Sequence, residues 1–223
     1  MAKKAMANVA LVGLEDSVAT VLRDAFRQFG IQTTRLSADV VQQLQNQKFE
    51  AMALRLNDDA ESVLEAARSS RSNRRIVIFG IGRNVQDSLR FSRFGINAVL
   101  HEPLDRQTVL KVVHATRLLV LNELRIYVRI PILSEVALDC AGRRFSGTTQ
   151  EVSAGGMSLK IAIRLNIGQT VDVAFSLPGT DRIQLGATVC WRRDPDLLGL
   201  RFEPGDERRK LLRRWIDEYL GIP

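Results

Sequence analysis

Two arginines four residues apart, in Arg125-Ile-Tyr-Val-Arg129, stand about two dozen residues ahead of Glu151-Val-Ser153-Ala-Gly-Gly156. A guanidinium is a planar fork of donors that grips a phosphate with two parallel bonds or reads the acceptor edge of a guanine. A carboxylate such as Glu151 accepts from base N–H groups, the Ser153 hydroxyl adds a small polar contact, and Gly156 admits close backbone approach. Together these groups suit an anion that carries phosphates and hydrogen-bonding bases. Neither spacing is specific alone, because arginine is abundant here. Their weight comes from context: the arginine pair falls just before a strand, and the second segment falls at a strand–turn–strand with two glycines.

What precedes this candidate site alternates strands with helices. Asn8–Leu14 reads as a buried strand, and Asp16 or Ser17 as the cap of a helix with apolar positions at Val18, Val21, Leu22, Ala25, Phe26 and Phe29, closed by Gly30. Ile31–Leu36 is expected as an edge strand and Ala38–Gln47 as a helix. Phe49–Leu56, Arg75–Phe79 and Ala98–Leu100 are further strands, separated by helices over Ala60–Ser69 and Val85–Phe94. Asp105 starts a long helix expected to end near Leu124. Five strand–helix repeats predict an α/β unit, a doubly wound parallel sheet with helices on both faces, over residues 1–121. The last helix carries Val109, Leu110, Val112, Val113, Leu118, Leu119, Val120, Leu121 and Leu124, apolar around more than one face. It is expected either to wedge between two domains or to form a homodimer contact through residues 105–124.

From Ile130 the period changes to two, and residues 122–223 read as a second domain. Its expected strands are a run through Ile132, Val136 and Leu138, then Arg143–Glu151, Met157–Ile163, Thr170–Leu177, Gln184–Trp191 and Gly199–Phe202. Gly142, Gly147, Gly168, Pro178-Gly179 and Asp194-Pro195 punctuate them. Six short antiparallel strands favour a small barrel or a folded sandwich. Asp206 then caps a helix to Leu220 with Leu211, Leu212, Trp215, Ile216 and Tyr219 on one face.

The R-x-x-x-R and E-x-S-x-x-G segments, with Leu-Gly-Ala-Thr-Val-Cys-Trp191-Arg-Arg and Leu198-Gly-Leu-Arg-Phe202 downstream, resemble the PilZ family over roughly residues 122–220. The resemblance implies an all-β part built as a six-stranded antiparallel barrel closed by a C-terminal helix, and a ligand, the bacterial second messenger cyclic di-GMP. It places Arg125 and Arg129 on phosphates and guanine acceptors, with Glu151, Ser153 and Gly156 on the turn beneath. Trp191 has two readings, a guanine-stacking aromatic contributing about 1–3 kcal/mol or a core residue at a strand end. The sequence departs from the family pattern twice. Glu151 stands where Asp or Asn is usual, which displaces the carboxylate by roughly an ångström or more. Leu124 stands where many members carry another arginine. The alternative function is an adaptor of the same family that binds proteins and not the nucleotide.

The N-terminal half resembles the response-regulator receiver fold in length, element order and Pro103 after its last strand. Receiver chemistry needs a phosphoryl-accepting Asp ending the third strand and acids after the first strand to hold Mg²⁺. This chain has Arg55 at the acceptor, Gly13-Leu14 at the acids, Gly80 at the assisting hydroxyl and Glu102 at the lysine. The half is therefore expected to be degenerate, serving contact with an unknown protein partner.

Composition narrows the classes further. Hydrophobic content of 45% and charged content of 26% suit a soluble globular chain. No apolar run reaches the roughly 18 residues of a membrane span, and Met1-Ala-Lys-Lys-Ala-Met6 lacks the apolar stretch of a signal peptide. A cytoplasmic protein with no membrane role is expected. The net charge of +7 is spread, with 17 basic and 13 acidic residues over 1–124 and 15 and 12 over 125–223. The run Arg208-Arg-Lys-Leu-Leu-Arg-Arg214 is read as the wet face of the closing helix, not as a nucleic-acid site. Cys140 and Cys190 read as core thiols, and His101 and His114 as isolated imidazoles. No Ser/His/Asp order, Walker loop, HExxH or complete G-x-G-x-x-G is present, so neither catalysis nor a metal or bound cofactor is expected.

Overall fold

A computed structural model describes residues 5–83, 85–193 and 196–222. The turn expected at Asp194-Pro195, like the first four residues of the N-terminal segment, lies outside the described residues. The chain divides into two compact units, residues 1–124 and 125–223.

The first unit runs β1 (Asn8–Val12), α1 (Asp16–Gln28), β2 (Gln32–Leu36), α2 (Val40–Asn46), β3 (Ala51–Arg55), α3 (Ala60–Ser69), β4 (Val77–Gly82), α4 (Val85–Arg90), β5 (Ala98–His101) and α5 (Arg106–Tyr127). All its strand pairs are parallel, in the order β2-β1-β3-β4-β5. This is the doubly wound order of flavodoxin-like sheets, in which the strand sequence reverses beside β1. The central strands β1, β3 and β4 read as near-continuous apolar runs because helices cover both their faces. Ala51–Leu54 and all of β4 are buried, whereas β2, at the sheet edge, keeps an exposed Gln32 and Arg35. Phe26 of α1 meets Phe79 of β4 edge to face, with centroids 5.3 Å apart. On the other face, Leu44, Phe49, Met52, Leu64, Ile78 and Phe91 form a cluster with α2 and α3.

Several helix ends differ from expectation. α2 starts at Val40 instead of Ala38, and α4 stops at Arg90 before a 3-10 turn over Ser92–Phe94. The residue capping α1 is Glu15, with no side-chain cap bond, because the Asp16 carboxylate turns to Arg35 instead. α5 starts as expected, Asp105 accepting from the Thr108 amide at 2.7 Å and its hydroxyl at 2.8 Å. It then runs past Leu124 to Tyr127 and so carries Arg125 in its last turn. In the first unit, the buried Glu123 of this helix lies 3.3 Å from Arg75 Nε and 3.7 Å from Lys48 Nζ. Leu118 and Leu119 of α5 are exposed. Among the described residues, no helix is long and apolar enough to cross a membrane.

The second unit opens with β6 (Ile130–Pro131) and continues β7 (Glu135–Cys140), β8 (Arg143–Ser153), β9 (Gly156–Lys160), β10 (Thr170–Phe175), β11 (Ile183–Arg193), β12 (Leu197–Phe202) and α6 (Arg209–Leu220). Six strands follow one another as β8-β7-β10-β11-β12-β9, and β9 pairs again with β8, closing an antiparallel barrel. β6 is a short addition on β8. Alternation fills the barrel with Val136, Leu138, Val152, Leu159, Val173, Phe175, Leu185, Val189 and Phe202, all nearly inaccessible. α6 buries Leu212, Trp215, Ile216 and Leu220, and the Trp215 indole N–H donates to the Pro178 carbonyl at 3.1 Å. Asp206, expected to cap this helix, lies two residues before its N-cap Arg208, whose amide donates to it at 3.0 Å. Of the two cysteines read as core thiols, Cys140 is buried but Cys190 is exposed. Alternation itself explains the second case, because the buried Ala187 and Val189 put Cys190 on the outer face of β11 with Thr188.

Candidate functional site

β6 is what brings the two chemistry-bearing segments together. Ile130 pairs with Val152 and Pro131 with Glu151. This lays the end of the Arg125–Arg129 segment along the strand that leads into the hairpin. One turn earlier, the Ala154 amide donates to the Arg125 carbonyl at 3.0 Å. Arg129 Nε stands 3.9 Å from Glu151 Oε1, with both side chains substantially exposed. Arg125, Arg129, Glu151, Ser153 and Gly156 are therefore neighbours, although the motif halves are separated in sequence.

The two arginines differ in how far they are already engaged. Arg125 is 13% exposed and forks onto Asp217 of α6, with Nε donating to Oδ1 at 2.5 Å and Nη2 to Oδ2 at 3.1 Å. Arg129 is half exposed, and its Nη1 donates to the Ile126 carbonyl at 2.9 Å, near the end of α5. That bond supplies one of the orphan carbonyls that every helix leaves at its C-terminus.

Ser153 and Gly156 play structural parts that the motif alone does not disclose. Ser153 is fully buried. Its Oγ accepts from the Gly155 and Gly156 amides, each at 3.2 Å, and donates to the Gly156 carbonyl at 3.1 Å. The hydroxyl thus shapes the β8–β9 turn from inside, and is not displayed as the small polar contact expected of it. A Cβ on Gly156 would lie 2.1 Å from the Leu200 carbonyl oxygen. The close approach that requires glycine here is that of β12, the neighbour of β9 in the barrel.

Trp191 joins this region through the ladder. Glu151 pairs with Ser158, Ser158 with Gly199, and Gly199 with Trp191. These four residues form one row across β8, β9, β12 and β11. Strands are spaced about 4.8 Å apart, so the row places Glu151 and Trp191 roughly 14 Å from each other along the same face. Trp191 is 37% exposed, which rules out the core reading. Its indole lies on Gly199, where a Cβ would come within 2.1 Å of Cε2, and Arg193 stacks 5.5 Å from its ring centroid. Asp217 and the role of Gly199 escaped the sequence reading, and Arg209, read there as part of the wet face of the closing helix, is buried instead. Arg209 is a buried guanidinium whose Nη2 donates to the Ala154 carbonyl at 2.5 Å, and it fixes the hairpin to the start of α6.

In the first unit, the C-terminal ends of the strands gather Arg55, Glu15, Glu102 and Arg83. Arg55 Nη2 donates to Glu102 Oε1 at 2.5 Å, and its Nη1 lies 3.2 Å from Glu15 Oε1. Leu14 is buried and offers only its carbonyl, which accepts from Arg35 at 2.7 Å. Among the described residues, no group of three or more His, Cys, Asp or Glu side chains is placed to hold a metal ion.

Residues 123–218 match the family model of the PilZ domain. No curated protein matches the chain. Among solved structures, the chain is similar to the receiver domain of the sensor histidine kinase PA1611 from Pseudomonas aeruginosa PAO1, at 20% identity, covering 52% of this chain and 98% of that one with a TM-score of 0.43. It is similar to the chemotaxis response regulator CheY4 of Vibrio cholerae, at 17% identity over 50% and 98% with a TM-score of 0.44. It is also similar to the PilZ domain of CeSA from a cellulose-synthesizing bacterium, at 19% identity over 41% and 96% with a TM-score of 0.36.

Proposed function

We propose that the PilZ domain carried by residues 123–218 makes this chain a cyclic di-GMP receptor, and that residues 1–121 are a receiver-like unit serving protein contact instead of phosphoryl transfer. The observation that carries the first part is the β6–β8 pairing, which sets Arg129 beside Glu151 at the mouth of the Ser153 turn. Two guanidiniums and an exposed carboxylate then share one rim, with Trp191 further along the same row. A dinucleotide with two phosphates and two guanines offers complementary groups: phosphates and guanine O6 and N7 for the arginines, guanine N–H for the carboxylate, and a ring face for the indole.

Arg125 must exchange Asp217 for the ligand to present its Nε/Nη2 fork, whereas Arg129 holds its helix-terminal carbonyls through Nη1 alone. Binding is therefore coupled to the last turn of α5, and only a difference in affinity between two arrangements can drive that change. Isothermal titration of the full chain with cyclic di-GMP tests the reading. Saturable heat is expected at tens of micromolar, and a folded protein that gives none overturns it.

Glu151→Asp separates a receptor from a protein-binding adaptor. The shorter side chain withdraws the carboxylate from Arg129 and restores the acid usual in the family. A partly exposed ion pair contributes up to about 1 kcal/mol. Its release is expected to tighten cyclic di-GMP binding about five-fold by titration, whereas an adaptor would show no nucleotide binding in either form.

The second part of the proposal rests on charge. Arg55 is a cation where a phosphoryl acceptor would need a carboxylate, and Glu102 neutralises it at 2.5 Å. The acceptor–lysine pair of a working receiver is thus inverted to an arginine–glutamate pair. Incubation with acetyl phosphate and Mg²⁺ is expected to leave the intact mass unchanged; a gain of one phosphoryl group on residues 1–121 would overturn this part.

A further inference from the structure

We infer that Asp217 is an internal competitor for the ligand, a carboxylate on α6 that occupies the Arg125 fork until a phosphate displaces it, so that the last turn of α6 reports binding. This rests on the proposed receptor reading. The geometry is that of ligand recognition already fulfilled from within: two parallel charge-assisted bonds, at 2.5 and 3.1 Å, on a guanidinium only 13% exposed. A carboxylate and a phosphate present the same pair of acceptor oxygens to such a fork. The two cannot hold the Nε/Nη2 edge together.

α6 is attached so that losing this bond has a local consequence. Its first turn is pinned by Arg209, which donates to the Glu203, Pro204 and Ala154 carbonyls. Its middle is held by buried Leu212, Trp215 and Ile216. Asp217 is the charged attachment of its last turn, beside the buried Leu220, and the Gly221 and Ile222 amides close the helix on the Glu218 and Asp217 carbonyls at 3.1 and 2.9 Å. Freed from Arg125, residues 217–222 keep the Leu220 anchor and the stacking of Tyr219 on Trp215 and so loosen only in part, while residues 209–216 stay docked.

Asp217→Asn keeps the shape and removes the charge. It is expected to tighten cyclic di-GMP binding by roughly ten-fold, in line with the strength of a charge-assisted bond. In the unaltered chain, saturating cyclic di-GMP is expected to raise amide hydrogen exchange in residues 217–222, and the variant shows fast exchange there without ligand. If both proteins bind and the variant binds no tighter, or if exchange in the unaltered chain does not change, competition is overturned while the receptor reading stands. If both proteins are folded and neither binds, the receptor reading fails and the competition with it. Should the variant not fold, exchange in the unaltered chain decides alone.

Discussion

Arg129→Ala is expected to weaken cyclic di-GMP binding by roughly 10- to 150-fold while barely changing stability. The range follows from about 1.5–3 kcal/mol for a hydrogen bond to a charged group, with ten-fold for each 1.4 kcal/mol. The small stability effect follows from what the side chain does in the free protein. It is half exposed, its bonds go to carbonyls at the end of α5, and its carboxylate neighbour is 3.9 Å away. Water can replace all of these. Arg125→Ala is the less informative change, because it also strips Asp217 of its partner and unsettles α6. Arg129→Lys is expected to recover only part of the loss, since an ammonium cannot present the planar fork. Titration and a thermal melt on the same preparation check both halves. Unchanged affinity in a folded Arg129→Ala protein would remove Arg129 from the site.

The alternation of apolar runs with helix-period stretches was enough to read the first unit as α/β, because burying a parallel sheet on both faces leaves β1, β3 and β4 few places for polar residues. Strand order was not readable, since it depends on which crossovers pack, and no spacing encodes that. In the barrel, period two located every strand but misplaced their ends. β8 continues to Ser153 and β11 to Arg193 because each contains a register shift, between Thr149 and Glu151 and between Val189 and Trp191. An extra residue breaks the alternation on paper while the ladder carries on. α5 outran its expected end for a related reason. Glu123 and Arg125 look like solvated termini in the sequence, yet each is tied down by an ion pair with residues distant in the chain.

The same limit applies to the candidate site. Segment proximity in space could be anticipated from a strand following the arginines and a strand preceding the turn. Asp217 could not, because it lies 92 residues from Arg125 and an acid on the wet side of an amphipathic helix carries no signal. Gly199 left a faint one: a glycine inside Leu198-Gly-Leu-Arg-Phe202 marks a strand position that something approaches closely. That something is Trp191, which the register shift after Val189 turns to the outer face over this glycine. The Ser153 hydroxyl was legible as part of a motif but not in its role, because burial belongs to the folded turn.

Gly156→Ala is expected to cost the barrel about 3 kcal/mol, near the top of the usual range for overpacking. That corresponds to a fall of roughly 12–24 °C in the midpoint of a unit of this size. The three nearest atoms that a new Cβ would meet are backbone: the Leu200 carbonyl oxygen at 2.1 Å, its carbon at 3.1 Å and Arg201 Cα at 3.3 Å. No rotamer change relieves such a contact. β9 cannot retreat either, since it is paired on one side to β12 through Gly156↔Arg201 and Met157↔Leu200, and on the other to β8 through Ser153↔Gly156. Moving it opens the barrel along one seam. Gly155→Ala is the matched control, because its Cβ would meet Ile126 Cγ2 at 3.4 Å, a contact that a small shift of one methyl relieves. Its midpoint is expected to change by only a few degrees. The pair also fixes how a loss of cyclic di-GMP binding at this turn should be read: at Gly156 it would follow from barrel opening, and a Gly156→Ala protein that melts like the unaltered chain would return this glycine to direct contact with the ligand.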